Sequence, residues 1–329
     1  MRFYPLTENH LISIDPVELV ELEKRTIRKE KLDDFSEELL RSSIYKWSIA
    51  IDKTMGKEMV LGLKLADKFK EPHEIYFNKE GLINEFVRLK TPEDITSFAQ
   101  KYGLLGIKAP DIEQITSTYP VVQYLMRPSY IFTGYDFSVF EPIDLWIWHI
   151  KEVRQIFKLY NVVKKKSSDE QVNELIEIKI HKGRLEDHLY EDGDILNSFF
   201  VHWTSGEQIL KLPQLLEEQS LLEIGRYTLI KMLESRLFGG VHEGGIYTIG
   251  IHSGNKAFKV RERKYAVSLL AAIYYDLWKK IVDDINIYFC GNIKCGLPFV
   301  KSGRQKYCSD ACKQEAYRIR HKEKERKDK

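Results

Sequence analysis

Four cysteines are the residues of this chain whose type and spacing could do chemistry. They are Cys290, Cys295, Cys308 and Cys312, and they follow the pattern C-x4-C-x12-C-x3-C with no other cysteine among 329 residues. Two close pairs separated by a short loop have the spacing of a tetrahedral zinc site. The sequence therefore predicts one structural Zn²⁺ held by four thiolates. A redox or disulfide role is the alternative that the pattern leaves open.

The residues between the cysteines predict the small fold that would position them. Gly and Asn follow the first cysteine and allow the chain to turn tightly toward the second. Residues 297–300 are predicted to form a strand, with a hairpin turn over 301–304 and a return over 305–307. Phe299 and Tyr307 are expected to form the small core. A segment of this size needs the metal ion to fold, because it buries little apolar surface.

A helix is predicted to complete the finger. Ser309 and Asp310 are N-cap formers, so the helix is expected to begin there and to carry Cys312 in its first turn. The tight turn that carries the first two cysteines, which we call the knuckle, the hairpin and the helix together predict a treble-clef finger. Four thiolates leave no open coordination position, so the ion is expected to stabilise the fold and not to catalyse.

The charge of the chain is concentrated at this end. Residues 301–329 contain eleven Lys or Arg and five acidic residues, a net charge of +6, whereas the whole chain is +2. A basic segment on a slightly acidic body is typical of polyanion contact. The helix residues predicted to bind nucleic acid are Lys313, Tyr317, Arg318, Arg320, Lys322 and Lys324. The alternative is a solvated helix face with charges paired four residues apart.

The remaining sequence predicts an α+β protein: a mostly α-helical body with a small β-containing segment, followed by the treble-clef finger. Helices are expected at 91–103, 142–163, 221–237 and 265–284, and strands at 197–203 and 246–251. Four regions are predicted: a mixed region 1–85, a helical region 86–166, an α+β region 167–285 and the finger with its basic helix at 286–329.

Composition excludes several classes of protein. Hydrophobic residues make up 43% and charged residues 30% of the chain, which is typical of globular and not of disordered proteins. No run of 18 apolar residues and no signal peptide is found, so we expect a cytoplasmic protein without a membrane contact.

Motifs for catalysis are weak, and no catalytic residue is predicted. The chain has no nucleophile elbow and no cysteine beyond the four. His202, His242 and His252 could converge in space, with Glu243 nearby, as a nuclease-like site within 185–255. We expect the chain not to be an enzyme, with this nuclease as the open alternative.

Several stretches of the chain match the pattern of one group of bacterial proteins. The stretches are Cys290–Cys295 with Phe299, Gln305–Gln314, Glu85–Thr91, Phe98–Leu105, and Glu141–Pro142 leading into Trp146. Together they resemble, as a distant relative, the CGNR-type zinc-finger proteins, whose N-terminal regions are called ABATE-like. The resemblance implies zinc ligation by the four cysteines and a nucleic-acid role for the final helix. The Gly-Asn-Arg motif of that group is absent here, because Cys312 is followed by Lys-Gln-Glu.

Three functions are compatible with these patterns. The leading hypothesis is a bacterial-type transcription regulator that binds DNA or RNA through the basic helix, with a protein partner possible on the body. The second is a protein-interaction component of a defence or toxin–antitoxin system, in which the finger only stabilises the fold. The third is the nuclease-like enzyme.

Overall fold

The structure is a computed structural model, and it divides the chain into two compact units. It describes residues 11–14, 17–23, 43, 46–47, 59–65, 73–76, 82–107, 139–165, 168–184, 195–213, 216, 218–252, 255–300 and 303–327. The first unit comprises Met1–Ile150 and Arg236–Lys280, and the second comprises Lys151–Ser235 and Ile281–Lys329. The four-region division stays a prediction, and most of 1–85 lies outside the described residues. No helix within the described ranges is long and apolar enough to cross a membrane.

Helices and short antiparallel sheets make up the described residues. The helices are α1 (Leu82–Phe86), α2 (Pro92–Tyr102), α3 (Ile143–Lys164), α4 (Asp169–Asn173), α5 (Leu221–Leu237), α6 (Leu269–Val282) and α7 (Asp310–Lys327). The strands are β1 (Leu11–Ile14), β2 (Val17–Glu23), β3 (Met59–Leu65), β4 (His73–Tyr76), β5 (Phe140–Pro142), β6 (Ile176–Arg184), β7 (Ile195–Trp203), β8 (Gln208–Lys211), β9 (Val241–His252), β10 (Asn255–Ala266), β11 (Ile287–Phe289) and β12 (Pro298–Val300). The sheets have the orders β1-β4, β2-β3-β5, β6-β7-β8, β9-β10 and β11-β12. The predicted α+β class is confirmed.

Local signals in the sequence located the start of α2 correctly. The Thr91 Oγ1 accepts a hydrogen bond from the Asp94 N–H at 3.2 Å, and the Asp94 carboxylate accepts one from the Thr91 N–H at 3.1 Å. This reciprocal pair is a capping box, and Pro92 occupies the first turn, where its missing N–H costs nothing. Gly103 ends the helix at φ 87° and donates its N–H to the Ala99 carbonyl at 2.7 Å.

The first unit has an aromatic core beside a buried carboxylate. The rings of Phe86 and Phe98 lie 5.7 Å apart, and Phe98 packs edge-on against Trp146 at 6.2 Å. Glu141, on β5, is fully buried. A buried carboxylate is costly unless hydrogen bonds replace its lost water. The neighbourhood of Glu141 therefore has to supply donors.

Each oxygen of the Glu141 carboxylate accepts two N–H groups. One oxygen accepts from the backbone of Gly106 at 2.8 Å and of Ile107 at 3.3 Å. The other accepts from the backbone of Leu105 at 2.8 Å and from the Trp146 indole at 3.0 Å. Burial raises the pKa of Glu141 to about 7, and the four donors oppose this shift without cancelling it. Glu141 thereby fixes the segment after α2 to the start of α3.

Strand β3 contains a glycine at a position where a side chain has no room. Gly62 lies in the middle strand of the sheet β2-β3-β5, and a Cβ at this position would overlap the ring of Phe140. The Phe140 ring is itself fully buried, so it cannot move into solvent. The glycine lets the aromatic ring cover the backbone of β3.

Gly62→Ala is expected to destabilise the protein by about 2–3 kcal/mol, because the added methyl group overpacks a filled core. Chemical denaturation of the variant and the wild type measures this difference. The matched test is Gly62→Ala in a Phe140→Leu background, where the smaller side chain should remove most of the cost of the alanine. An alanine that costs the same in both backgrounds would contradict the overlap with Phe140.

The second unit packs α5 closely against two other helices. A Cβ on Gly225 of α5 would lie 3.2 Å from Val172 of α4 and 3.3 Å from Val163 of α3, so the backbones approach closely at this glycine. In the sheet β6-β7-β8, Ile176, Val201 and Trp203 are buried. Strand β7 and helix α5 occupy the ranges that the sequence predicted.

The predicted helix over 265–284 is wrong at its start. Strand β10 continues to Ala266, and α6 begins only at Leu269. Ser268 marks the change, because its side-chain oxygen accepts the Ala271 N–H at 3.1 Å as an N-cap does. The apolar residues before Ser268 belong to the long hairpin β9-β10, which includes the predicted strand 246–251.

Candidate metal centre

The four cysteines converge at one point of the second unit. Their sulfur atoms all lie within 4.8 Å of one another, and this is the only group of three or more His, Cys, Asp or Glu in the described ranges that could hold a metal ion. The Cys308 sulfur lies 3.6 Å from that of Cys295 and 3.5 Å from that of Cys312. Four thiolates around Zn²⁺ at a Zn–S distance of about 2.3 Å would lie about 3.8 Å apart. The sulfur positions are therefore compatible with tetrahedral coordination of one ion.

Strands β11 and β12 form the hairpin that holds the first two cysteines. Ile287 pairs with Val300 and Phe289 with Pro298, and the Cys290 N–H donates to the Leu297 carbonyl at 2.9 Å. The knuckle with both cysteines is thus the connection between the two strands. We call residues 287–327 the metal module.

This pairing corrects the predicted hairpin. The predicted strand over 297–300 was expected to pair with a return over 305–307, but its residues 298–300 pair with Ile287–Phe289 on the N-terminal side. Residues 305–306 are not in a strand, although Gly303 adopts the predicted turn with φ 61°. No strand was predicted over Ile287–Phe289.

A backbone contact joins the knuckle to the second pair of cysteines. The Gly291 N–H donates to the Lys306 carbonyl at 3.0 Å, and the Cys308 N–H points at the Cys290 sulfur at 3.5 Å. A Cβ on Gly291 would lie 3.1 Å from the Lys306 side chain, so the glycine permits this close approach. The two pairs are therefore held together by the backbone as well as by any shared ion.

The start of α7 positions the last cysteine as predicted. The Ser309 Oγ accepts the Cys312 N–H at 3.2 Å, which caps the helix and points the first turn at the other cysteines. The hydrogen bond with Ser309 lowers the pKa of Cys312 to about 7, whereas burial raises the pKa values of Cys295 and Cys308. Binding of a cation would release the protons of these thiols.

A network that the sequence analysis missed ties α7 to the knuckle. Asn292 is fully buried, its side-chain NH₂ donates to the Glu315 carboxylate at 2.9 Å, and its side-chain oxygen accepts the Lys294 N–H at 3.1 Å. The Lys294 ammonium lies 3.7 Å from Glu315. The sequence showed only a turn-forming Asn, because its partner is 23 residues away.

Helix α7 distributes the predicted nucleic-acid-binding residues over two faces. Each residue turns the helix by about 100°, which places Arg318 about 140° from Lys313. Lys313, Tyr317 and Arg318 are exposed, and the Tyr317 ring lies 6.2 Å from that of His321. By position, Lys324 follows the face of Lys313 and Tyr317, and Lys322 follows that of Arg318. The side chains of Lys322 and Lys324 lie outside the described part of the chain.

Arg320 is partly engaged within the metal module. It is exposed, but its guanidinium donates to the Tyr307 hydroxyl at 3.3 Å and to the Ala316 carbonyl at 3.2 Å. Tyr307 is half-buried, and Phe299 and Ala316 are buried, so the small core predicted for the finger is present. Arg320 therefore contributes to the fold of the module as well as to its charge.

The histidines of the nuclease-like alternative do not form one site. His242 and His252 lie at opposite ends of β9, about 33 Å apart along a strand at ~3.3 Å per residue. His202 is buried on β7 in the second unit, and His242 is exposed in the first. The side chains of Glu243 and His252 are not among those described. His242 and His252 therefore do not converge at one site.

The described residues form a mixed α and β fold, with a four-cysteine candidate metal centre near the C-terminus. Comparison of the sequence and structure with protein-family models, curated proteins and solved structures gives no match.

Proposed function

We propose that the metal module binds one structural Zn²⁺ and presents helix α7 to DNA or RNA, as part of a regulatory protein. Four sulfur atoms within 4.8 Å of one another favour zinc over hard cations, which prefer oxygen. Four thiols kept as ligands also fit a reducing compartment such as the cytoplasm. The resemblance to CGNR-type zinc fingers supports the same proposal.

The observation that carries the nucleic-acid proposal is the exposed face of α7. Lys313 and Tyr317 lie one turn apart and are both exposed, whereas Ala316 of the same helix is buried. Tyr317 is 64% exposed, so its ring is accessible to a binding partner. Exposed aromatic rings stack on bases, and adjacent cations contact phosphates. The face therefore combines both kinds of contact on one rigid helix.

Lys313→Ala and Tyr317→Ala are expected to weaken binding of a mixed set of labelled DNA and RNA oligonucleotides, measured by fluorescence anisotropy across salt concentrations. Loss of the Lys313 charge should lower the slope of log K against log salt by about 1. Loss of Tyr317 stacking, worth about 1–3 kcal/mol, should weaken binding roughly 5- to 150-fold.

Arg318→Ala distinguishes the two faces of the helix, because Arg318 is an exposed cation of the same predicted set that lies about 140° around the helix from Lys313. Equal losses in Lys313→Ala and Arg318→Ala would point to unspecific charge and not to the proposed face. Unchanged binding in all three variants would reject the nucleic-acid role and favour a protein partner for the module.

A further inference from the structure

We infer that the open edge of strand β6 binds the same edge of a second copy of this chain, which joins two three-stranded sheets into one continuous sheet. The inference goes beyond the proposed zinc and nucleic-acid roles and depends on neither of them. A two-fold symmetric contact uses one surface twice, so the strand has to be complementary to itself.

Strand β6 lies at the edge of the sheet β6-β7-β8. Within the described ranges it pairs with β7 alone, along all nine residues of Ile176–Arg184. An edge strand presents unpaired N–H and carbonyl groups, which are a template for pairing with another strand. Strand β6 thus has one side available for a second strand.

The hydrogen bonds to β7 show which residues point their backbone groups at the open edge. In an antiparallel pair, residues that bond to the neighbouring strand alternate with residues whose N–H and carbonyl groups point away from it. The Leu175 carbonyl accepts the Thr204 N–H at 3.0 Å, so the odd-numbered residues that follow Leu175 bond to β7. Ile176, Ile178 and Ile180 therefore point their backbone groups at the open edge.

The side chains of these three isoleucines lie on one face of the sheet, because side chains alternate along a strand. Their exposure increases along β6: Ile176 is buried, Ile178 is 36% exposed and Ile180 is 56% exposed. An antiparallel second copy centred on Ile178 brings the exposed Ile180 of one chain opposite the buried Ile176 of the other. Ile178 then lies opposite its own counterpart, so the pairing continues the apolar face from one chain into the next.

The other face of β6 carries the charges that select this register. The Lys179 ammonium lies 2.7 Å from the Glu177 carboxylate, and both side chains reach solvent. Pairing centred on Ile178 places Glu177 of each chain opposite Lys179 of the other, which is stabilising. Pairing centred on Glu177 or on Lys179 would place two like charges opposite each other, which is destabilising. The strand is therefore complementary to itself in one register and repels itself in the two neighbouring symmetric registers.

The test is a charge swap, with the oligomeric state of the full chain measured by sedimentation equilibrium across protein concentration. The wild type should form a dimer. Glu177→Lys and Lys179→Glu should each weaken dimerisation about 10-fold or more, because each turns two attractive pairs into repulsive ones. An equal mixture of the two variants should form dimers again, since one chain then carries two cations and the other two anions. The double variant with both substitutions should dimerise like the wild type.

Lys231→Glu is the matched control for charge reversal. It breaks an ion pair of the same length, 2.7 Å to Glu234 on helix α5, and leaves β6 unchanged. This variant should dimerise like the wild type. A loss of dimer equal to that of Lys179→Glu would overturn the assignment of the interface to β6.

A monomeric wild type would overturn the inference and leave the edge to a strand of another protein. A mixture no more dimeric than its two components would overturn it as well. If a single variant does not fold, as checked by far-UV circular dichroism, hydrogen exchange of the wild type replaces it. The amides of Ile178 and Ile180 should exchange more slowly as the protein concentration rises, and exchange that does not change with concentration would reject the pairing.

Discussion

Replacement of Cys308 by serine is expected to abolish metal binding and to unfold the metal module. The Cys308 sulfur lies between those of Cys295 and Cys312, so its loss removes the ligand that joins the two pairs. Structural zinc sites bind with an apparent free energy of about 10–16 kcal/mol, and in small modules this free energy is what folds them. The metal content measured by elemental analysis should fall from one ion per chain to none. The amides of residues 287–327 should lose their protection from hydrogen exchange.

Ile293→Ser is the control for this prediction. Ile293 lies in the same knuckle, but its side chain is 88% exposed and contributes no ligand. The variant should keep both the ion and the protection of the amides. Chelation of the wild type should reproduce the effect of Cys308→Ser. Full protection of the module in the metal-free chain would show that its backbone contacts are sufficient without the ion.

Glu141→Gln is expected to cost about 3–5 kcal/mol of stability at neutral pH, although glutamine has nearly the same shape. Each carboxylate oxygen of Glu141 accepts two N–H groups. A glutamine NH₂ in either orientation would face two donors and leave them without an acceptor. Chemical denaturation measures the loss. Glu93→Gln, at an exposed position in the first turn of α2, should change stability far less.

The cost of Glu141→Gln should also depend on pH. The pKa of Glu141 is raised to about 7 in the folded chain, above the value of an unfolded glutamate. A raised pKa stabilises the folded state below the unfolded pKa, and this stabilisation is lost as the pH rises through 7. The stability difference between wild type and Glu141→Gln should therefore shrink between pH 5 and 8, by up to about 3 kcal/mol. A difference that grows over this range would contradict the assignment.

Features encoded within a few residues could be predicted from the sequence. The capping box at Thr91, the N-cap at Ser309 and the cysteine spacing each depend on neighbours in the chain, and the structure has all three as predicted. Helix α5 was also located correctly, because its turn residues and apolar positions agree. Local hydrogen bonds and helical periodicity determine such elements, so one segment contains the whole signal.

Features that join distant segments could not be predicted. The four donors of Glu141 come from residues up to 36 positions away, and Asn292 meets Glu315 across 23 positions. The sequence shows these residues as an ordinary acid and an ordinary turn residue. The predicted partner of β12 was wrong for a related reason, because its pairing with β11 depends on the three-dimensional path of the knuckle.

The division of the chain into two compact units has a consequence for its folding during translation and for its proteolytic cleavage. Each unit is assembled from two separate stretches of sequence, and the metal module belongs to a unit whose other stretch, Lys151–Ser235, is translated earlier. On the ribosome, the first unit cannot be completed until residue 280 has emerged, after the whole inserted stretch. No single cleavage or terminal deletion releases either unit intact. A deletion that removes one stretch of a unit would therefore leave the other stretch of that unit without its partner.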